Sequence, residues 1–455
     1  MCSIDLLRKG TKMIKISDFG VERNSCELEN GTEVVVFTKP NAPVSILVTF
    51  FSGKRFALEG KEGTGHLLEH MLLAGTEKFP TNDKLATYIE RLGGIAGASI
   101  GPEMFNMKVA IGDPKDLEDA FIVLSEEINH PLFDDETLEK ERKSIYNELA
   151  SYEANPNRVA YKTHVGLVYQ GLDVVRTVNQ ARETVAKITK KDLLDYKKKF
   201  ICGNRMAVIV SGDVSLEKVK DLTQKYLLLS RGEKVSLNPT SVLRDKTVSI
   251  REFVSLKDQI KFDLSFRADI SFLDKDSFAL KILNTVLGSG GASILYKKLR
   301  YEKGLVYYTR SGSGGFLDVG DTSIDGETSK SDLDEVLEII REILKELKKT
   351  GLSEKQIQFA KDKIIKSSKR RLQTSGSWVS SHSYSTLAQK FLTDKPKKYA
   401  NKAYTIADLY NNIAKVTNDD VLRVLGKYVT SDNWFLSLVG SEIDENKYKA
   451  SEFNF

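Results

Sequence analysis

The segments in the first half of the chain recur in the second half, and this repetition narrows the folds that the chain can adopt. Three pairs of similar segments stand in the same order, and the members of each pair lie between 216 and 228 residues apart. The pairs are 45–50 with 261–266, 133–145 with 352–364, and 186–192 with 414–420. Coincidence among helical patterns would not keep this order, so we interpret the chain as a duplication of one folding unit.

Each half is predicted to be an α+β domain, because segments with strand character and segments with helix character are mixed. β-Branched and aromatic residues cluster in the predicted strands 33–37, 44–51 and 206–210. Apolar residues at helical spacing predict helices over 117–128, 135–152, 333–347 and 354–371.

A chain of 455 residues is also longer than a domain with a single hydrophobic core usually is, which agrees with two domains. We place the first domain at 14–228 and the second domain at 246–455. The stretch between them, 229–245, contains Gly232 and Pro239 and is predicted to be a linker.

The composition excludes several classes of protein. Hydrophobic residues make up 41% and charged residues 29%, which is typical of a globular chain rather than a disordered one. Three cysteines, an odd number at no ligand spacing, argue against a disulfide framework and a cysteine zinc site. No run approaches the roughly 18 apolar residues of a membrane helix, and the start resembles no secretory signal, so we expect a cytoplasmic protein.

The segment His66-Leu67-Leu68-Glu69-His70 holds two of the five histidines in the chain. Residues four apart share one face of a helix, so His66 and His70 can offer two imidazole nitrogens to one ion. Glu69 can reach the same volume without being a ligand. Two ligands with a nearby carboxylate suit a hydrolytic zinc site, and this order of residues is the inverzincin motif.

A third ligand is expected from the predicted helix over 135–152. Glu141 and Glu148 are seven residues apart, or about two helical turns, and therefore face the same way. One carboxylate could bind the metal while the other supports a histidine. With Glu139 and Glu153 nearby, however, the spacing alone fits a solvated acidic face equally well.

The stretch 65–71, together with Gly75 and Thr76, resembles the pitrilysin family of zinc peptidases. That family includes insulin-degrading enzyme and mitochondrial processing peptidase. Its pattern continues with a ligand Glu later in the same half and another Glu seven residues before it, where this chain has Glu148 and Glu141.

The resemblance implies a role for each of these side chains. His66, His70 and Glu148 would bind one zinc ion per chain, Glu69 would be the general base that activates water at the zinc, and Glu141 would support the site. In the repeat, Ser367 aligns with Glu148 and no histidine stands opposite His66 or His70, so only the first half should bind metal.

A second signature lies in the other half, where 287–291 is followed by 299–307. This stretch is similar to the family segment that carries an Arg and a Tyr seven residues apart, and Arg300 and Tyr307 fit it. The resemblance implies that both contact the substrate near the scissile carbonyl and stabilise its oxyanion. Without the family, Arg300 is one basic residue in a loop, and the glycines lack the ending of a phosphate-binding P-loop.

One stretch departs from the family pattern. Where the family has Asn-Ala-x-Thr on a strand beside the site, this chain reads Gly97-Ala98-Ser99-Ile100, although Glu103 matches. The strand is expected to pair with the substrate backbone, which survives such changes.

We therefore predict a zinc metalloendopeptidase that hydrolyses peptides or unfolded polypeptide segments. Long family members enclose a chamber with four such domains, so two domains make half of a clamshell. We expect a homodimer in which Arg300 and Tyr307 act on the partner's zinc site. Processing peptidases of the family are associated with a glycine-rich loop, and the glycines in 312–315 are too few to indicate one. This favours general peptide degradation.

Two other functions remain open. One is a catalytically inactive structural or partner subunit of the same family, which the missing Asn leaves possible. The other is nucleic-acid binding through the basic run 366–371. That run is interleaved along an exposed helix and the net charge is only +5, so we expect neither a nucleic-acid nor a membrane partner.

Overall fold

The computed structural model describes residues 15–233, 237, 246–268, 270, 274–391 and 404–449. Most of the predicted linker 229–245 lies outside these ranges, and so does Cys2. The predicted domain boundaries therefore stay a prediction.

Two mixed β-sheets organise the molecule, and each sheet is built from one half of the chain. The strands of the first sheet are β1 (Glu22–Glu27), β2 (Glu33–Thr38), β3 (Val44–Phe50), β4 (Ile95–Ile100), β5 (Phe105–Ile111) and β6 (Met206–Gly212). The strands of the second sheet are β7 (Val248–Glu252), β8 (Gln259–Arg267), β9 (Val306–Gly315), β10 (Gly320–Ser329) and β11 (Trp434–Gly440).

The strand orders of the two sheets confirm the predicted duplication and the α+β class. The first sheet runs β1-β2-β6-β3-β5-β4 and the second runs β7-β11-β8-β10-β9. Apart from β1, each strand of one sheet has a counterpart in the other. The parallel pairs β2/β6 and β7/β11 also correspond, while the remaining pairs are antiparallel.

Helices surround both sheets. In the first half they are α1 (Thr64–Ala74), α2 (Asn82–Arg91), α3 (Leu117–Asn129), α4 (Asp135–Glu153), α5 (Pro156–Val168), α6 (Arg182–Ala186), α7 (Lys190–Phe200) and α8 (Leu216–Tyr226). In the second half they are α9 (Lys275–Gly288), α10 (Leu333–Thr350), α11 (Glu354–Arg371), α12 (Ser375–Phe391), α13 (Ile406–Lys415), α14 (Asn418–Tyr428) and α15 (Glu445–Lys449). Throughout the described ranges, every helix is too short or too polar to cross a bilayer.

The similarity between 186–192 and 414–420 has a local physical cause. Each segment ends a turn with a threonine that caps the following helix. Thr189 accepts a hydrogen bond from the Asp192 backbone at the start of α7, and Thr417 accepts one from Asp420 at the start of α14. In turn, each aspartate side chain accepts a hydrogen bond from the backbone N–H of its threonine, which completes a capping box in both halves.

The two halves exchange helices across their contact. Helix α5 of the first half packs on β8 and β11 of the second sheet, whereas α12 of the second half packs on β3 and β6 of the first sheet. Trp378 and His382 of α12 lie against Phe37 of the first half, with ring centroids 5.4 and 4.4 Å away. The halves are therefore interlocked rather than joined only by a linker.

Buried charges reinforce this contact. The Arg55 guanidinium of the first half binds Glu103 at 2.5 Å and reaches Asp318 of the second half at 2.9 Å. Glu103 also accepts the backbone N–H of Leu317 and the hydroxyl of Tyr384, both from the second half. Burial lowers the pKa of Arg55, but its bonds and charge partners, Asp318 first, raise it overall, so Arg55 stays charged.

A buried carboxyl in the first half predicts a pH-dependent stability. Glu127 of α3 is 1% exposed and neither of its oxygens has a hydrogen-bond partner among the described residues. Burial raises the pKa of Glu127 from 4.5 to about 8. The folded state therefore holds the proton more tightly than the unfolded state, and this stabilising contribution is complete below pH 4.5 and lost as the pH rises to about 8.

Glu127→Gln is expected to raise the melting temperature at pH 9 and to change it little at pH 5. At the higher pH, the wild type loses about 3–5 kcal/mol that the uncharged amide keeps. Thermal unfolding at both pH values measures the difference, with the exposed Glu90→Gln of α2 as the control. An equal effect of Glu127→Gln at the two pH values would contradict the assignment.

Candidate metal centre

Helix α1 carries the first two predicted ligands and the predicted base. Its apolar face, with Leu67, Leu68 and Leu72, is completely buried in the core of the first half. Gly63 begins the helix at φ 107°, and a Cβ atom there would lie 2.9 Å from Val185. This close approach and left-handed backbone need glycine, and they fix the helix against the rest of the domain.

Helix α4 packs against α1 and brings Glu141 and Glu148 to the two histidines. Arg142 of the same helix is buried, and its guanidinium donates to the backbone carbonyls of Val185 and Ile188. Those bonds fix the rotation of α4, so that the glutamates point toward α1.

The structure places His66, His70 and Glu148, the three ligands that the family resemblance implies, close together. Their ligand atoms all lie within 4.8 Å of one another, the one such group of three in the described part of the chain. The Nε2 atoms of His66 and His70 lie 3.4 and 3.5 Å from the Glu148 carboxylate oxygens. The rings meet edge to face, with centroids 5.0 Å apart.

These distances fit a tetrahedral zinc ion. With bonds of about 2.0–2.1 Å, neighbouring ligand atoms in a tetrahedron are about 3.4 Å apart. His66 Nε2 lies at about this separation from Oε2 of Glu148, and His70 Nε2 lies at about this separation from Oε1 of the same carboxylate. Three protein ligands also leave a fourth position open, as in catalytic zinc sites.

The other nitrogen of each histidine is held from behind. The Nδ1 atom of His70 lies 2.9 Å from the Glu141 carboxylate, as expected for a carboxylate that orients a ligand. The Nδ1 atom of His66 contacts the Gln180 side-chain amide, at 3.0 Å to its nitrogen and 3.3 Å to its oxygen. Gln180 could not be predicted from the sequence, because no motif marks it.

Burial, followed by the charges of Lys54 and His70, lowers the pKa of His66 to about 3. The imidazole is therefore neutral at physiological pH, which is the form that binds a metal.

Glu69 lies beside this triad without joining it. Burial raises the pKa of Glu69, while His70, Lys54 and a hydrogen bond from the Ile100 backbone oppose the rise. In the sequence, Glu69 lies between the two histidines. The hydrogen bond from Ile100 shows that it also lies next to the end of strand β4. This is a suitable position for a group that exchanges protons with a reactant at the metal.

Among the strands of the described residues, β4 stands at the edge of the first sheet, and it lies against α1. Its free edge can accept an extended peptide as an added strand. A Cβ atom at Gly97 would meet nothing within 4 Å, so the missing Asn leaves open space rather than a rearranged strand. Glu103, which matches the family pattern, binds Arg55 and the second half instead of the triad.

Arg300 and Tyr307 lie together on the second half of the chain. The Arg300 guanidinium donates to the Val306 carbonyl at 3.0 Å and lies 5.2 Å from the centre of the Tyr307 ring. Tyr307 is 73% exposed at the start of the edge strand β9. Within the ranges described, none of their bonds or ring contacts reaches the metal triad.

Two sequence models of one peptidase family match the chain. The model described as Insulinase (Peptidase family M16) matches residues 33–178, which include the His66–His70 motif and Glu148. The model described as Peptidase M16 inactive domain matches residues 187–364, in which no such motif occurs.

Similar proteins agree with these matches. The uncharacterized zinc protease YmxG of Bacillus subtilis (strain 168) is 24% identical over 92% of this chain and 98% of its own length. The mitochondrial-processing peptidase subunit beta of Dictyostelium discoideum is 24% identical over 74% of each chain. A crystal structure of a peptidase M16 inactive domain from Pseudomonas fluorescens has a TM-score of 0.82 and 18% identity, and it covers 93% of this chain and 99% of that one.

The family resemblance predicted from the motifs is thus confirmed by both halves of the chain and by the fold. This chain belongs to peptidase family M16.

Proposed function

We propose that this protein is a zinc-dependent endopeptidase that hydrolyses peptides or unfolded polypeptide segments. The observation that supports this function best is the triad of His66, His70 and Glu148, whose ligand atoms lie within 4.8 Å of one another beside the carboxylate of Glu69. Zinc, when bound there, polarises a peptide carbonyl and lowers the pKa of water.

The remaining steps belong to this chain's own side chains. Glu69 takes the proton from the attacking water and delivers it to the leaving amine. Glu141 keeps the His70 ring in the orientation and tautomer that face Glu148. Strand β4 holds the peptide backbone across the site through main-chain hydrogen bonds.

Arg300 and Tyr307 are proposed to stabilise the developing oxyanion in a second copy of the chain. Among the described residues, the contacts of Arg300 and Tyr307 stay within their own segment, and the exposure of Tyr307 supports a site completed by a partner. Two copies would close a four-domain chamber around two composite sites, which unfolded segments could enter and folded proteins could not.

Mixing two inactive variants tests the composite site. Neither Glu69→Gln nor the double variant Arg300→Ala/Tyr307→Phe should cut peptides alone. When the two are co-expressed, half of the dimers are mixed and one of their two sites is intact, so about a quarter of wild-type activity should return. Co-expressing Glu69→Gln with wild type gives the control for mixing. Recovery of no activity would contradict a site shared between copies.

The second candidate is an inactive partner subunit of the same family. The open space at Gly97 and the absence of Asn and Thr from β4 favour it. A purified protein that bound no zinc and cut no peptide, yet associated with an active relative, would support this alternative.

A further inference from the structure

A cavity opens directly beside the candidate metal centre. Its volume is about 330 Å³, and its walls include Ile100 at the end of β4, Leu149 next to Glu148, and Gln180, which contacts His66. The wall of the cavity is thus continuous with the site where a peptide would be cut.

Three cations line this cavity: Lys54, Arg158 and Lys162. In the part of the chain that the structure describes, none of their charged groups forms an ion pair or a hydrogen bond with a carboxylate. Glu153 is the one acidic residue in the wall, and it is exposed. The cavity therefore presents a surplus of positive charge.

The three cations share the wall of one cavity, so one ligand bound there could contact all of them. Arg158 and Lys162 are one turn apart on α5, and the Arg158 guanidinium stacks 4.9 Å from the centre of the Tyr152 ring, which limits its movement. Burial lowers the pKa of Lys54, and the charge of Arg158 adds to this, while Glu69 and Glu148 oppose it. An anion in the cavity would relieve the repulsion between Lys54 and Arg158.

Strand β4 leads a bound peptide to this cavity. The strand ends at Ile100. This residue donates a backbone hydrogen bond to the Glu69 carboxylate and also lines the cavity. A peptide paired with this edge advances about 3.3 Å per residue, so a side chain within a few residues of the cut bond would reach the cations.

We propose that this cavity is a substrate subsite that binds a carboxylate of the peptide, through Lys54, Arg158 and Lys162. The proposal rests on the endopeptidase function above and gives it a substrate class, namely acidic peptides. The carboxylate is supplied either by an Asp or Glu side chain near the cut bond or by the free C-terminus of a short peptide.

Cleavage of matched peptides tests the subsite. A peptide series in which one position at a time is Glu, Ala or Lys should contain a position where Glu raises kcat/KM over Lys by at least about tenfold. Arg158→Glu/Lys162→Glu changes two exposed residues and should reverse that preference, and Lys162→Gln should reduce it. Lys355→Glu, an exposed reversal on α11, is the control and should keep the wild-type preference.

Two further peptides distinguish the sources of the carboxylate. One carries an internal Glu and an amidated C-terminus, and the other has Ala at that position and a free C-terminus. The peptide whose kcat/KM falls in Arg158→Glu/Lys162→Glu relative to the wild type is the one that carries the recognised carboxylate. Peptide cleavage with the same preference in the wild type and in the double reversal would overturn the subsite but leave the endopeptidase in place.

A binding measurement separates this proposal from the proposed function. Fluorescence anisotropy of labelled Glu and Lys peptides on Glu69→Gln requires no turnover. The Glu peptide should bind more tightly than the Lys peptide, and this difference should disappear when Arg158→Glu/Lys162→Glu is combined with Glu69→Gln. That result would support the subsite even if the wild type cut no peptide. Equal binding of the two peptides would overturn it.

Discussion

Glu69→Gln is expected to lower kcat/KM for an unstructured peptide by about 10³-fold, within the range that a positioned general base contributes. The amide keeps the shape of the carboxylate but cannot accept the proton from water. Because Glu69 is not one of the three residues grouped as ligands, the zinc content per chain should be unchanged. Steady-state cleavage and elemental analysis on one preparation measure both quantities.

Glu90→Gln is a suitable control for this variant, because Glu90 is exposed on α2 and forms no part of the site. It should cut peptides like the wild type. If Glu69→Gln retained most of the activity, Glu69 would not be the base. If it lost zinc together with activity, Glu69 would belong to the ligands.

Arg55→Met is expected to destabilise the protein by about 3–5 kcal/mol, because it leaves buried carboxylates without their cation. Glu103 would lose its 2.5 Å partner, and Asp318 would lose one of the bonds between the two halves. A melting temperature several degrees lower, with earlier proteolysis between the halves, would report this loss.

Arg251→Met removes an exposed arginine from β7 and should leave the melting temperature nearly unchanged. Equal stability of Arg55→Met and Arg251→Met would show that the buried network does not hold the halves together. The Arg55 result also bears on catalysis, since Lys54 and the start of the loop before α1 are adjacent to Arg55 in sequence.

The parts of the structure that the sequence predicted are those with local patterns. The similarity of 186–192 and 414–420 could be seen in the sequence because both carry the same local capping signal, a threonine followed three residues later by an aspartate. The His66–His70 spacing likewise places two side chains on one helix face whatever surrounds it. Helical spacing also placed Glu141 and Glu148 on one face of α4, and the family resemblance then assigned their roles.

The parts that the sequence did not predict depend on contacts between distant segments. Gln180 reaches His66 from 114 residues away, and nothing in its neighbourhood marks it as a site residue. Glu103 matches a family position beside the site, yet the second half supplies partners that bind it elsewhere. The exchange of α5 and α12 was not predicted for the same reason. An amphipathic pattern shows that one face of a helix is buried, but it does not identify the sheet or helix that packs on that face.

The cations of the cavity illustrate this limit most clearly. In the sequence, Arg158 and Lys162 are an ordinary solvated pair on a helix, and Lys54 lies more than 100 residues earlier. Only the fold brings them to one wall beside the metal triad. The proposed substrate preference therefore depends on the tertiary structure rather than on any motif.

His66, His70 and Glu148 are proposed to hold a catalytic zinc ion, and the zinc content of the purified protein tests this proposal. Elemental analysis should find about one zinc per chain in the purified wild type and far less in Glu148→Gln, with peptide cleavage lost in parallel. A folded wild type that holds no zinc after incubation with the metal, and cuts no peptide, would contradict the account and favour the inactive partner subunit.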